Sequence, residues 1–171
     1  DILQQGKRVL SSLLIFDYDN EDHAPWTPES LEAFLGKLVE LSDSGFVLAN
    51  SWAALYTTRG GARLIYQLTT PISAPEAEAR HRGIISEWKK HGVLLDPSCS
   101  DWTRLFRLPK VIRDGKPSWD SPHFVLSLQL GNEIVPESIP MLGEIDLKPH
   151  YAPEIEFDRP KPGYEAIPEL L

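Results

Sequence analysis

The chain has almost no cysteine and no long apolar segment, and each lack excludes a class of protein. Cys99 is the single cysteine among 171 residues, so neither an internal disulfide nor a zinc ribbon of paired CxxC motifs can form. No apolar run approaches the roughly 20 residues that span a bilayer, and the first residues show no basic segment with a small-residue cleavage site. A cytoplasmic protein with no membrane contact is therefore expected.

Charge is unevenly distributed along the chain. The net charge is −8, and residues 1–50, 51–116 and 117–171 contribute −6, +5 and −7. Non-specific binding of nucleic acid depends mainly on Lys and Arg facing phosphates, so a broad DNA-coating surface is not expected. The basic middle segment predicts a local anion site instead.

Short apolar runs interleaved with two amphipathic segments predict an α+β fold, with a small mixed β-sheet and flanking helices. The expected strands cover 9–16, 46–50, 52–57, 63–68, 103–112 and 124–130. One helix is expected from the Thr27 cap to near Gly45, and another from Ser73 to about Gly92. Seven prolines between 136 and 171 predict an extension or linker. The folded domain is accordingly placed at 1–135.

Asp17 and Asp19 stand at the end of the first expected strand. Residues i and i+2 share one face of a strand and lie about 6–7 Å apart along the backbone. Carboxylate oxygens suit Mg²⁺ or Mn²⁺, and two such ions can activate a hydroxyl and stabilise a leaving pyrophosphate. By itself, an Asp-x-Asp pair at the end of a strand is equally typical of an ordinary solvated turn.

A glycine turn at 57–63 carries hydroxyls and arginines just before a strand. Backbone N–H groups of such a turn can form an anion nest, and guanidinium groups grip phosphate. An ordinary hairpin turn with surface arginines is the alternative.

A third segment, 95–109, places Asp96 after an apolar run and follows it with Arg104 and Arg107. One carboxylate for a metal and two cations for a triphosphate would serve the same chemistry. Alternatively, Asp101 and Arg104 pair on the surface while Trp102 packs in the core.

In this order, the three segments resemble the archaeo-eukaryotic primase superfamily, especially the primase-polymerase domains of phages and plasmids. The resemblance covers roughly residues 9–113 and rests on hDhD, a basic strand after a glycine turn, and hD followed by RxxRLP. It implies an RRM-like catalytic sheet with an N-terminal α/β unit. It also implies an enzyme of DNA replication, a DNA primase or DNA polymerase that transfers nucleotides on a DNA template.

The resemblance assigns the site residue by residue. Its catalytic metal ligands, for Mg²⁺ or Mn²⁺, fall on Asp17, Asp19 and Asp96, with Asp101 the weaker candidate for the last. Its nucleotide-binding residues are matched by Thr58, Arg59, Gly60, Gly61, Arg63, Arg104 and Arg107. Arg63 stands where the family has histidine, which leaves the nucleotide geometry open. DNA contacts are assigned to Trp102, Lys110 and Arg113.

The implied partners are a single-stranded DNA template, NTP or dNTP, and a helicase, either as a module after the extension or as a separate protein. The implied location is the cytoplasm of a bacterium or of a phage-infected host. The histidines show no metal-ligand spacing, and ordinary surface or helix-end roles are expected for them.

Two other functions stay open. Haloacid-dehalogenase-like phosphatases also begin with a strand ending in Asp-x-Asp, in which the first Asp is a nucleophile, but a Thr or Val usually follows the pair and here Asn20 and Glu21 do. The other is a catalytically silent DNA-binding or replication scaffold module.

Overall fold

Residues 9–100, 106–113 and 115–143 are described by the structure, a computed structural model. Two helices and seven strands follow one another in these residues: β1 (Leu10–Asp19), α1 (Pro28–Asp43), β2 (Ala54–Thr58), β3 (Gly61–Ser73), α2 (Ala74–Lys90), β4 (Ile112–Arg113), β5 (Lys116–Pro117), β6 (Leu126–Leu128) and β7 (Glu133–Ile134). The predicted α+β class is confirmed.

The main sheet has the strand order β1-β3-β2-β6, with every neighbouring pair antiparallel. β7 adds a short parallel pairing to β3 at Gln67 and Leu68. The unit β1-α1-β2 is thus split, because β3 lies between its two strands. After α2 the chain returns to the outer edge of β1, where Leu95 forms an antiparallel bridge with Tyr18.

Both helices cover the same face of this sheet. The Phe34 ring on α1 stacks on Tyr18 with centroids 4.5 Å apart, and the His81 ring on α2 lies 4.7 Å from that of Phe16. Successive side chains of a strand point to opposite faces, so Asp17 and Asp19 project from the face that the helices leave open. The hydrophobic core lies between the helices and the sheet, and the acidic pair lies on the other side of the sheet.

Capping residues in the sequence set where both helices begin, as expected. Thr27 caps α1 in a capping box with Ser30, and Pro28 occupies the first turn. Ser73 caps α2, whose last turn carries Lys89 and Lys90. Neither helix is long and apolar enough to cross a membrane, and no other described helix is.

Some expected strands are wrong or shorter. Residues 46–50 form a 3-10 helix over Val47–Ala49, because Phe46 packs edge-on against Trp88 at 5.1 Å and Tyr66 donates a hydrogen bond to the Leu48 carbonyl. The strand expected at 124–130 is reduced to Leu126–Leu128. Of the strand expected at 103–112, residues 103–105 lie outside the described part, and 106–111 are irregular.

The first residues of the expected extension pack on α2. Arg80, which is buried, donates hydrogen bonds to the carbonyls of Pro136 and Ile139, and the Leu142 N–H donates to Ala79 at 3.0 Å. Gly83 provides the space, since a Cβ there would overlap the Pro140 carbonyl. The remainder of the extension, 144–171, lies outside the described residues.

Gly83→Ala is therefore expected to destabilise the protein by about 1–3 kcal/mol through overpacking. Gly36→Ala in α1 is the matched control, since a Cβ there meets nothing within 4 Å and alanine is the better helix former by about 0.8–1.0 kcal/mol. Urea unfolding of both variants measures the difference. Equal stability gains in both would contradict the packing of 136–142 against α2.

Candidate functional site

A row of polar side chains crosses the open face of the sheet. Asp17 on β1 lies opposite Arg63 on β3, which lies opposite Tyr56 on β2. The bridge between Leu95 and Tyr18 sets Asp96 opposite Asp17 on the outer edge, and the Asp96 N–H donates to the Asp17 carbonyl at 2.8 Å. Directly opposed residues share a face. The register thus gathers two of the three predicted metal ligands, and Asp19 follows on the same face at the end of β1.

Asp17 and Arg63 form a buried, two-pronged ion pair. Arg63 Nε donates to Asp17 Oδ1 at 2.5 Å, and Nη2 donates to Oδ2 at 3.1 Å. Each side chain is only 11% exposed. Burial acts to lower the pKa of Arg63, but hydrogen bonds to Asp17 and Tyr56 and the charge of Asp17 outweigh it, so the pKa is raised. The guanidinium is a permanent cation at this carboxylate.

Arg63 also holds the segment that begins at Phe106. Its Nη1 donates to the Arg107 carbonyl at 2.7 Å and to the Tyr56 hydroxyl at 3.2 Å. Tyr56 donates to the same carbonyl at 2.6 Å, and the Phe106 ring lies 5.0 Å from the guanidinium carbon. Four hydrogen bonds leave this guanidinium little donor capacity for a phosphate.

The Asp96 carboxylate organises the turn that follows it. Its Oδ1 accepts the Ser98 N–H at 2.9 Å, and its Oδ2 accepts the Ser98 hydroxyl at 2.6 Å. The Cys99 Sγ of the same turn accepts the Asp17 N–H at 3.2 Å. The turn is therefore fastened to β1 beside the acidic pair.

The three carboxylates fit a divalent cation by their chemistry. All are hard oxygen donors, as Mg²⁺ and Mn²⁺ prefer, and all belong to one face of the sheet. In the part of the chain that is described, however, no three His, Cys, Asp or Glu side chains are close enough together to hold a metal. The Asp17 oxygens accept hydrogen bonds from Arg63, so a cation that binds Asp17 would have to displace that guanidinium or bind beside its positive charge.

A cleft of about 800 Å³ opens beside this row. Four cationic side chains line it: Arg59, Arg63, Arg107 and Lys116. His23 and His123 line it as well, and among the described lining residues only Asp19 is acidic. Such a lining favours an anionic ligand.

The cleft brings together most of the residues predicted to bind a nucleotide. Its lining includes Thr58, Arg59, Gly60, Arg63 and Arg107. Gly61 is the next residue of the same turn but is not in the lining. Arg104 and Trp102 lie outside the described residues. Of the other expected DNA contacts, Lys110 is exposed away from the lining, and only the backbone of Arg113, in β4, is described.

Close backbone packing accounts for the glycine turn. A Cβ on Gly61 would overlap the Tyr18 carbonyl, and one on Gly60 would overlap the His23 carbonyl. Neither glycine has a positive φ, so the alternating right- and left-handed backbone of an anion nest is not present there. The turn fixes the end of β1, and the anion-binding groups nearby are side chains.

Several residues at the site were missed from sequence. Tyr56 reads as an ordinary strand residue, and Lys116 and His123 come from irregular segments far along the chain. His23 lies 3.4 Å from Asp19, and it and Asp22 have φ of 52° and 54°, a left-handed conformation that is costly for non-glycine residues. The residue types at positions 22 and 23 do not by themselves indicate this conformation in the sequence. The expected surface or helix-end role is also wrong for His81. Its side chain is buried, and this burial lowers its pKa.

No protein-family model matches the chain, and neither the curated proteins nor the solved structures contain a significant match.

Proposed function

We propose that this chain is a primase-polymerase catalytic domain that transfers nucleotides on a single-stranded DNA template. The observation that carries the proposal is the polar row of Asp96, Asp17 and Arg63 on the sheet face opposite the helices, bordered by a cation-lined cleft. A nucleotidyl transferase needs both parts side by side, because carboxylates would hold a divalent cation at the reacting oxygens and basic side chains would neutralise the triphosphate.

The strand arrangement supports the RRM-like catalytic sheet of the proposal. The order β1-α1-β2-β3-α2, with β3 between β1 and β2 and the next segment on the outer edge of β1, matches that topology. Both helices lie on one face, and in RRM domains the opposite face of such a sheet binds nucleic acid. A separate N-terminal α/β unit is not found among the described residues.

The incoming nucleotide is assigned to the cleft. Its volume, about 800 Å³, is within the range of small-molecule sites. Arg59, Arg107 and Lys116 would neutralise the triphosphate, and their exposed side chains have donors to offer. Arg63 acts mainly by holding the Arg107 backbone, which positions the Arg107 side chain at the cleft wall.

Asp17, Asp19 and Asp96 would hold the divalent cation that the resemblance implies. When bound, Mg²⁺ or Mn²⁺ supplies a lowered pKa for the attacking hydroxyl and charge neutralisation for the leaving pyrophosphate. The contribution of the chain is to hold Asp17 and Asp19 on β1 and Asp96 in the turn that is fastened beside them.

A catalytically silent nucleotide- or DNA-binding module is the second candidate. The ion pair between Asp17 and Arg63 favours it, because a carboxylate already neutralised needs no metal. The same pair disfavours the phosphatase alternative, in which Asp17 would have to be an available nucleophile. The helicase partner and the cytoplasmic location remain proposals of the same resemblance.

Incorporation of labelled nucleotide separates the two candidates. The chain is incubated with single-stranded template, with and without a primer, in Mg²⁺ or Mn²⁺, and an enzyme is expected to yield extended product that EDTA abolishes. Nucleotide affinity is measured calorimetrically alongside. Binding without product in any condition would reject the enzyme and leave the silent module.

A further inference from the structure

Arg63 approaches Asp17 from β3, on the side opposite Asp96, and engages both oxygens of the Asp17 carboxylate. Its Nε and Nη2 each reach a different carboxylate oxygen, and both side chains are withdrawn from solvent. We propose that Arg63 is a resident counter-ion that competes with divalent metal for Asp17, so that metal binds tightly only when the guanidinium withdraws. This inference rests on the proposed function, because it concerns the metal site of that reaction.

The competition follows from charge and geometry. A metal ion binding both Asp17 oxygens would replace the Arg63 donors, and one binding beside them would face a fixed positive charge at close range in a poorly solvated site. Arginine cannot relieve that repulsion by deprotonating, because its guanidinium stays charged. A histidine at this position, by contrast, can lose its proton.

The Arg63 guanidinium can find other hydrogen-bond acceptors on the side of the cleft. Nη1 is already bonded to the Tyr56 hydroxyl and the Arg107 carbonyl, on the side where the chain borders the cleft. A phosphate in the cleft is a stronger acceptor than either of these. A nucleotide that draws Nε and Nη2 toward it would release Asp17.

Nucleotide and metal should then assist each other. Because binding couplings are reciprocal, a nucleotide that raises metal affinity has its own affinity raised by the same factor. The free chain is expected to bind divalent cation weakly, and the nucleotide-bound chain more tightly than the ligand's own chelation of metal explains.

Mn²⁺ binding to the whole chain, followed by electron paramagnetic resonance without nucleotide, tests the inference. Arg63→Gln is expected to bind Mn²⁺ about tenfold or more tightly than the wild type, within the usual range of couplings between sites. Arg59→Gln, which removes the same charge from the cleft wall without touching Asp17, is the matched control and should stay within about twofold. Arg63→Lys keeps a charge but loses the two-pronged geometry, so an intermediate affinity is expected.

The outcomes are distinguishable. Equal or weaker Mn²⁺ binding by Arg63→Gln would overturn the inference and leave the proposed function intact, since incorporation is measured separately. An equal gain in Arg59→Gln would overturn it too, by showing a general charge effect. If circular dichroism shows Arg63→Gln to be unfolded, Arg63→Lys decides: an affinity no higher than wild type rejects the competition. Absence of Mn²⁺ binding in every form would reject the inference together with the metal site of the proposed function.

Discussion

Asp17→Asn is expected to lower the free energy of unfolding by about 3–5 kcal/mol, the usual cost of removing one partner from a buried ion pair. The Asp17 carboxylate is 11% exposed and receives two hydrogen bonds from Arg63. An asparagine in its place offers one oxygen and no charge, so Arg63 would remain buried without its counter-ion. Asp19→Asn is expected to change stability by less than about 1 kcal/mol, because the Asp19 side chain is 38% exposed.

Urea unfolding of the two variants measures this contrast. The double variant Asp17→Asn/Arg63→Gln is a further check, since the cost is expected to be smaller when the uncompensated guanidinium is also removed. Asp17→Asn within about 1 kcal/mol of wild type would show that the ion pair does not form in solution.

The sequence alone leads to the opposite expectation. It shows Asp17 and Asp19 as neighbouring like charges, so neutralising either should leave stability unchanged or raise it. What reverses the sign is the pairing of β1 with β3, which sets Asp17 directly across from Arg63. Register between strands that are 40 or more residues apart depends on the whole fold, and a shift of one residue would move Arg63 to the other face.

Local chemistry, by contrast, can be read from the sequence. The Thr27 cap, Pro28 in the first turn and the Ser73 cap define where both helices begin, because each satisfies backbone groups within its own turn. The hairpin of β2 and β3 follows from the glycines between two apolar runs. The helix caps need no distant partner.

Prediction fails where distant contacts decide the conformation. Residues 46–50 look like a strand, but Trp88 and Tyr66 hold them as a 3-10 helix. The first residues of the proline-rich segment after 135 also depend on a distant contact, because a buried arginine of α2 holds them. Likewise, the cleft is assembled from strands and loops that share no local pattern, so only Asp19, the 57–63 wall and Arg107 could be named from sequence.

Asp19→Asn is expected to reduce nucleotide incorporation by at least about 100-fold, the loss typical of removing one electrostatic group from an active site. Asp19 lines the cleft and is exposed enough to meet a ligand, whereas its stability role is small. The comparison with Asp17→Asn is therefore informative, because that variant loses activity and stability together while Asp19→Asn should lose activity alone.

Asp22→Asn is the matched control for Asp19→Asn. It makes the same chemical change in the loop that follows β1, at a residue outside the cleft lining, and asparagine tolerates its φ of 54°. Initial rates of labelled nucleotide incorporation at saturating template are compared for the wild type, Asp19→Asn and Asp22→Asn, together with their thermal midpoints.

If Asp19→Asn retains more than about a tenth of the wild-type rate, the reacting oxygens lie elsewhere, since a positioned carboxylate contributes more than tenfold. An equal loss in Asp22→Asn would mean that net charge around the cleft mouth governs the reaction, through attraction or repulsion of the triphosphate, and that Asp19 has no specific part in it.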